Sequence, residues 1–349
     1  MFLRSILLSS LLVLPLMASQ GEKQAEKDKQ HDSVKLSPAG KLACKKALAW
    51  LAGKQNPDGS WSESRYPHNT AITAFALLSF MSQGHVPGQG EYGPVVAKGA
   101  KFLVSSGRPE GDGYLVGRGG NMYCHGMATL ALAELYGMTH DDELKPVLDK
   151  AIDLMIRCQS PQGGWRYDPN PHDADISATI MQVMALRAAK NGGLNVPDVV
   201  MQRALQYVEA CRDPTSGGYN YQPGQKHPGF ARTAAGACIL QLCGKYDHEH
   251  VAKAVEFLQK DTTRERRFRA REYFWYGHYY AAHAMHIVGG EAWKNWYSDI
   301  VSVLLPRQSE SGAWESQDLE GNPPGPIYQT SIAVIILSTP LSYLPIYQR

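Results

Sequence analysis

The sequence is short of several things, and each shortage excludes a class of protein. It has no surplus of charge: 35 Lys and Arg stand against 33 Asp and Glu, a formal net charge of +2 over 349 residues. That balance argues against a dedicated nucleic-acid binder. It has no apolar run of about 20 residues, the length a membrane helix needs, and its mean hydropathy is −0.32. A polytopic membrane protein is excluded. Its six cysteines are too few for a disulfide scaffold, and none sits in a CxxC spacing. Phenylalanine is scarce, 8 against 18 tyrosines. With 44% hydrophobic residues the chain is too apolar for disorder. What is abundant is glycine, 33 residues, and tyrosine.

The N-terminus reads as a targeting segment. Arg4 gives a short positive region, Ser5 to Met17 is an apolar stretch too short to span comfortably, and Ala18 and Ser19 offer small residues for cleavage. Residues 1–19 are expected to be a signal peptide and residues 20–38, polar and of mixed charge, a flexible linker. The remaining 39–349 is expected to be one folded domain of an exported protein, periplasmic or extracellular, with no transmembrane span in the mature chain. Cys44, Cys158, Cys211 and Cys238 fall inside helical patterns and read as small core residues.

Internal repeats dominate the rest. Gln55 to Trp61, Gln159 to Trp165 and Gln308 to Trp314 share the spacing Q-x3-G-x-W, with weaker copies ending in Gly113-Tyr114 and Gly218-Tyr219. An amphipathic helical stretch precedes each copy, with apolar positions such as Ala47/Trp50/Leu51 and Ala151/Leu154/Met155. A second stretch follows, rich in Ala, Ile and Met and poor in charge. Aligning these second stretches places Thr70, His125, Thr179, Thr233, His278 and Thr330 in register, 45 to 55 residues apart. Six copies with two helices each form a repeat architecture. The amphipathic helices suit an outer ring and the uniformly apolar ones a buried inner ring. Neither end resembles a polar capping repeat, so a closed ring is expected in place of an open solenoid. The fold class is therefore all-α, an α/α toroid of six helical hairpins (an α6/α6 barrel) with a central cavity at the N-terminal turns of the inner helices.

Over roughly residues 40 to 340 these motifs resemble the terpenoid cyclase and protein prenyltransferase superfamily. The C-terminal stretch from Tyr273 to Met285, with Trp293 and Trp296, is similar to exported bacterial prenyltransferase and squalene oxidase repeat proteins. The resemblance implies the toroid but not a reaction. Squalene–hopene-type cyclases protonate an alkene with the middle Asp of D-x-D-D-T; Asp175-Ile176-Ser177-Ala178-Thr179 keeps the first Asp alone and puts Ser177 at the donor position. Protein prenyltransferases hold zinc with an Asp-x-Cys pair and a His; here those positions are Met122, Cys124 and Ala178. One ligand of three does not support zinc, and no nucleotide, flavin or haem site is legible. No cofactor is expected.

The candidate site is drawn from what the cavity should carry. His125 and His278 replace threonine at a position expected to face the lumen, in opposite repeats. Tyr273, Trp275, Tyr276, Tyr279 and Tyr280 cluster around His278. Repeat five lacks its Q-x3-G-x-W and has Arg264-Glu-Arg-Arg-Phe-Arg-Ala-Arg271 in its place. Asp175, His125, His278 and Tyr279 are the candidate catalytic residues. Cys124, Arg266, Arg267, Arg269, Arg271, Trp275 and Tyr276 are the candidate ligand-binding residues, together an aromatic pocket with a cationic mouth. The loop Asp168 to Asp175 has the opposite charge. The expected partner is a small hydrophobic or anionic ligand, isoprenoid or related, and not nucleic acid; oligomeric state is not legible. Two other readings stay open: a polysaccharide lyase-like enzyme using Tyr, His and Arg, and a non-catalytic interaction scaffold.

Overall fold

The computed structural model describes residues 34–107, 111–117, 119–170, 172–260, 273–320 and 322–347. Among them are twelve α-helices, and extended backbone is confined to isolated bridges. The odd-numbered helices are α1 (Pro38–Gly53), α3 (Gly93–Ser105), α5 (Lys145–Arg157), α7 (Asp198–Ala210), α9 (Glu249–Lys260) and α11 (Gly290–Leu304). The even-numbered ones are α2 (Thr70–Met81), α4 (Met122–Thr139), α6 (Ile176–Asn191), α8 (Phe230–Leu242), α10 (Phe274–Val288) and α12 (Pro326–Ser338).

Burial divides these helices into two rings, as the charge pattern requires. Eleven of the twelve residues of α2 are buried, against five of the thirteen of α5, whose Lys and Asp face water. Around the inner ring α2 packs on α4, α4 on α6, α6 on α8, α8 on α10, α10 on α12, and α12 back on α2. Each outer helix lies against the inner helix that precedes it, and α1 accordingly packs on α12. The ring is closed. Leu36, 6% exposed, already belongs to the core, so packed structure extends into the end of the expected linker. The expected signal peptide lies outside the described residues. No described helix is long and apolar enough to cross a membrane. The four core cysteines are buried as expected, and burial pushes the Cys158 thiol up to about 11.

The glycine-rich motif is a clasp between neighbouring hairpins. In repeats one, three and six the Trp indole N–H donates to the end of the preceding outer helix: Trp61 to Leu51 O, Trp165 to Met155 O and Trp314 to Leu304 O, each 2.8 Å. The Gln amide donates forward, from Gln55 to Val95 O and from Gln159 to Val200 O, both 2.9 Å. Gln308 reaches Ala43 O at 2.8 Å, so the last clasp grips the first helix and shuts the ring. The central glycine needs positive φ (Gly163, +97°), and a methyl group there would collide with the Arg203 carbonyl of the next outer helix.

The aromatic's own backbone N–H donates to a threonine of the following inner helix: Trp61 to Thr73 at 3.0 Å, Trp165 to Thr179 at 3.0 Å, Tyr219 to Thr233 at 3.0 Å and Trp314 to Thr330 at 2.9 Å. This corrects the sequence register in two ways. The first-repeat member is Thr73, not Thr70, and in repeats one, two, three, four and six the position faces its own repeat's loop, not the lumen.

The middle of the ring is filled. Phe75 meets Tyr279 and Tyr328 edge-on at 5.4 and 5.2 Å, and the Tyr280 hydroxyl donates to Met181 Sδ at 2.9 Å. At the C-terminal ends of the inner helices the chain terminus forms a plug. Tyr347 stacks on His283 at 4.7 Å and meets His286 edge-on at 5.1 Å, while the Ile346 N–H donates to the buried Glu134 carboxyl at 3.2 Å.

Candidate functional site: an aromatic cavity at the N-terminal rim

Open space lies at the other end, where the N-termini of α4, α6, α8 and α10 border a cavity of about 750 Å³. Five tyrosines line it: Tyr123 on α4, Tyr167 and Tyr221 on loops, and Tyr273 and Tyr276 at the start of α10. Phe230 and Phe274 add two phenyl faces; Ser177, Gln225, Arg232 and His278 add polar groups.

The loops are set in place by a second interlock. Each lends a group to the N-terminus of the preceding inner helix, where backbone donors lack intrahelical partners. Met122 N–H donates to Tyr167 O at 2.9 Å and Ile176 N–H to Tyr221 O at 3.1 Å. Elsewhere around the rim Glu63 accepts from Ile327 and Tyr328 at the start of α12, at 2.6 and 3.1 Å, and Glu320 accepts from Trp275 at 3.1 Å. Tyr167 and Tyr221 thereby stand over the cavity with their hydroxyls 3.1 Å apart.

Behind this pair sits Arg166. Its guanidinium lies 5.6 and 5.7 Å from the Tyr167 and Tyr221 ring centres. It is held by Asp175 at 3.2 Å and Asp173 at 3.6 Å. Asp175 is fully buried and caps α6, accepting from Ala178 N–H at 2.8 Å. Burial raises its pKa, while the capping N–H and Arg166 pull it back down. Burial likewise pushes the Tyr167 and Tyr276 phenols above their ordinary range. At neutral pH the cavity wall is therefore a set of uncharged phenols that donate and accept hydrogen bonds and offer ring faces.

The sequence-derived residues scatter on this geometry. His278 and Tyr276 line the cavity; His278 is wedged between Phe274 and Phe230 at 4.5 and 4.7 Å. Asp175 stands one layer behind it, shielded by Arg166 and the tyrosine pair. His125 does not face the lumen. It takes the threonine's place in its clasp, its Nδ1 accepting from Leu115 N–H at 3.1 Å beside the Tyr114 ring, and burial lowers its pKa to about 4. Tyr279 belongs to the filled centre, between Phe75, Tyr280 and His283. Trp275 is 1% exposed and turned into the core, its backbone N–H donating to Glu320. Cys124 Sγ meets the Asn69 amide at 3.6 Å between α2 and α4. Arg266, Arg267, Arg269 and Arg271 lie outside the described residues. The lining residues that the sequence reading passed over are Tyr123, Tyr167, Tyr221, Phe230 and Arg232. All sit in the first turn of an inner helix or the loop just before one, which is the signal that could have found them.

Comparisons with known proteins agree with this architecture. The family model described as the prenyltransferase alpha-alpha toroid domain matches residues 122–272. A squalene–hopene cyclase of Bradyrhizobium diazoefficiens is 26% identical over 195 residues, covering 47% of this chain and 28% of the cyclase. The chain thus spans less than a third of that relative. An α-1,6-mannanase of Salegentibacter sp. HEL1_6, in complex with α-1,6-mannotetrose, has a TM-score of 0.67 at 10% identity over 86% of this chain and 98% of that one. A type II terpene cyclase from Scytonema, in complex with its product merosterolic acid A, has a TM-score of 0.61 at 15% identity over 91% and 99%. At such identities the structures share the fold alone. The chain is an α/α toroid, and the toroid-domain match and the cyclase relative, taken with the repeat motifs, support its place in the terpenoid cyclase and protein prenyltransferase superfamily.

Proposed function

We propose that the chain is an exported binding protein for an amphipathic ligand, an isoprenoid or comparably apolar body with an anionic head, held in the aromatic cavity without squalene–hopene-type cyclisation. One observation carries the reading. A cavity of about 750 Å³, well within the usual range of about 300–1,000 Å³ for small-molecule sites, is walled by neutral rings, and no carboxylate is among its described lining residues. Protonating an alkene needs a strong, exposed acid. Asp175 is buried, capped and paired with Arg166, and Ser177, at the donor position, presents a hydroxyl to the cavity. Arg232 and the partial positive charge of four inner-helix N-termini favour an anionic head.

A second reading rests on the phenols. Five tyrosine rings also suit stacking against sugars, and the mannanase shares the toroid. Calorimetric titration separates the two. Geranylgeranyl diphosphate should bind, α-1,6-mannotetrose should not, and Arg232→Ala should weaken the diphosphate roughly tenfold or more, the share of one charge-assisted contact. Tyr279→Phe, in the filled centre, should leave it unchanged. Binding of the mannan oligosaccharide in preference, or equal affinity of the Arg232 variant, overturns the proposal. Export is tested by fractionating cells that make the full chain; retention in the cytoplasm removes that part of it.

A further inference from the structure

On the outer ring, outside the lining of the aromatic cavity, two neighbouring hairpins bring three metal-ligating side chains together. Glu209 sits near the C-terminal end of α7, and His248 and His250 straddle the start of α9. One ligand atom from each lies within 4.8 Å of the other two, and all three residues are half-buried. His250 Nδ1 is 2.7 Å from Glu209 Oε2. The two imidazoles meet edge-on at 4.6 Å, and His248 Nδ1 accepts the His250 N–H at 3.3 Å. With Nδ1 accepting, the neutral His248 ring carries its proton on Nε2, so in binding a metal the ring exchanges this local bond or that proton for the metal.

We propose that Glu209, His248 and His250 form a site for a divalent transition metal, zinc in the first instance, that ties α7 to α9. A tetrahedral zinc with bonds of about 2.0–2.1 Å sets its ligand atoms about 3.3 Å apart. The His250–Glu209 pair opens slightly to reach that spacing and His248 closes in. Two imidazoles and one carboxylate leave a fourth position for water or an incoming ligand. His248 also lines a groove of about 420 Å³ with Val251, Val255, Ile287 and Glu256, so the metal has a route for exchange.

Donor chemistry selects the ion. Calcium and magnesium need several oxygen ligands, and this site has a single carboxylate with the Arg212 guanidinium 3.8 Å away. A second positive charge there is tolerable to an ion held mainly by neutral nitrogen, and not to one held by charge. The ordinary alternative is a His250–Glu209 ion pair with His248 as a bystander, and it predicts no metal dependence.

The test uses the full chain, stripped with EDTA and dialysed at pH 7.5. Zinc chloride should bind at one equivalent by calorimetry and raise the melting temperature; magnesium chloride should do neither. His248→Ala and Glu209→Gln should each weaken zinc roughly tenfold or more, while His227→Ala, on an exposed loop, should not. Melting curves in EDTA check that the variants are folded. Equal zinc affinity in wild type, His248→Ala and Glu209→Gln overturns the site, as does absence of binding or an equal response to magnesium.

Discussion

Glu134→Gln tests the physics of the plugged end most directly. Glu134 is fully buried in α4, and burial raises its pKa from 4.5 to about 8. Its one hydrogen bond, from Ile346 N–H at 3.2 Å, opposes the rise without cancelling it. A carboxyl protonated in the folded chain and ionised in the unfolded one costs stability as pH climbs: between pH 4.5 and 8 the folded state binds the extra proton, so unfolding free energy falls. At about 1.4 kcal/mol per pKa unit, the cost at pH 7 is about 3 kcal/mol. Glutamine keeps the acceptor for Ile346, keeps the shape and carries no proton to lose. The variant should match wild type near pH 4.5 and exceed it by about 3 kcal/mol at pH 7.

Two buried histidines act in the opposite direction. His283 and His125 are held near 3 and 4 by burial, so each contributes stability that appears as pH rises to about 6.5, the unfolded value. The wild type should therefore be most stable near pH 6.5 and decline above it. The histidine contributions cancel in the difference between variant and wild type. Urea unfolding at pH 5, 6.5 and 8 measures that difference. A constant offset across the series, or a variant less stable than wild type at pH 8, refutes the reasoning.

Other outcomes follow from the clasps and the cavity. Gly163→Ala should destabilise by about 2 kcal/mol or more, from a strained φ and a collision with Arg203; Gly193→Ala, at φ +86° but in open space, should cost about 1 kcal/mol, and equal thermal shifts would show that the collision is absent. Trp314→Phe removes the indole bond to Leu304 O and leaves a buried carbonyl unpaired, about 1–3 kcal/mol by urea titration. Asp175→Asn keeps a good helix cap and should leave diphosphate binding within a few-fold of wild type, whereas a proton donor at that position would lose all turnover of a polyprene substrate.

How far the sequence discloses this molecule depends on repetition. The toroid is legible because repeats one, three and six make the same clasp, so Gln, Gly and Trp recur at fixed spacing, with a threonine 12 to 16 residues beyond each Trp. The error at Thr70 shows the limit: Thr70 and Thr73 both fit an apolar helix, and only the Trp61 N–H at 3.0 Å distinguishes them. His125 misled for a related reason. A histidine among threonines reads as chemistry, yet its Nδ1 accepts the same kind of backbone N–H that the hydroxyls do. The aromatic cluster on α10 is split by helical geometry. Tyr276 reaches the cavity while Tyr279, most of a turn further on, points into the filled centre; composition alone reports both as one cluster. Tyr167 and Tyr221 do repeat, each two residues beyond its clasp aromatic, but that offset says nothing of their meeting over the cavity; Arg232 and the terminal plug occur once each, so periodicity has nothing to say about them.

The seal made by Ile346 and Tyr347 turns the ring into a vessel with a floor. Whatever enters the described cavity must leave by the mouth it came through, so no chain can be threaded across the molecule and no ligand can be handed from one face to the other. On the proposed binding role, a long polyprene would enter by one terminus only, with the remainder left outside the mouth. Selectivity would then act on ends, not on interior segments, and length would count only as what protrudes.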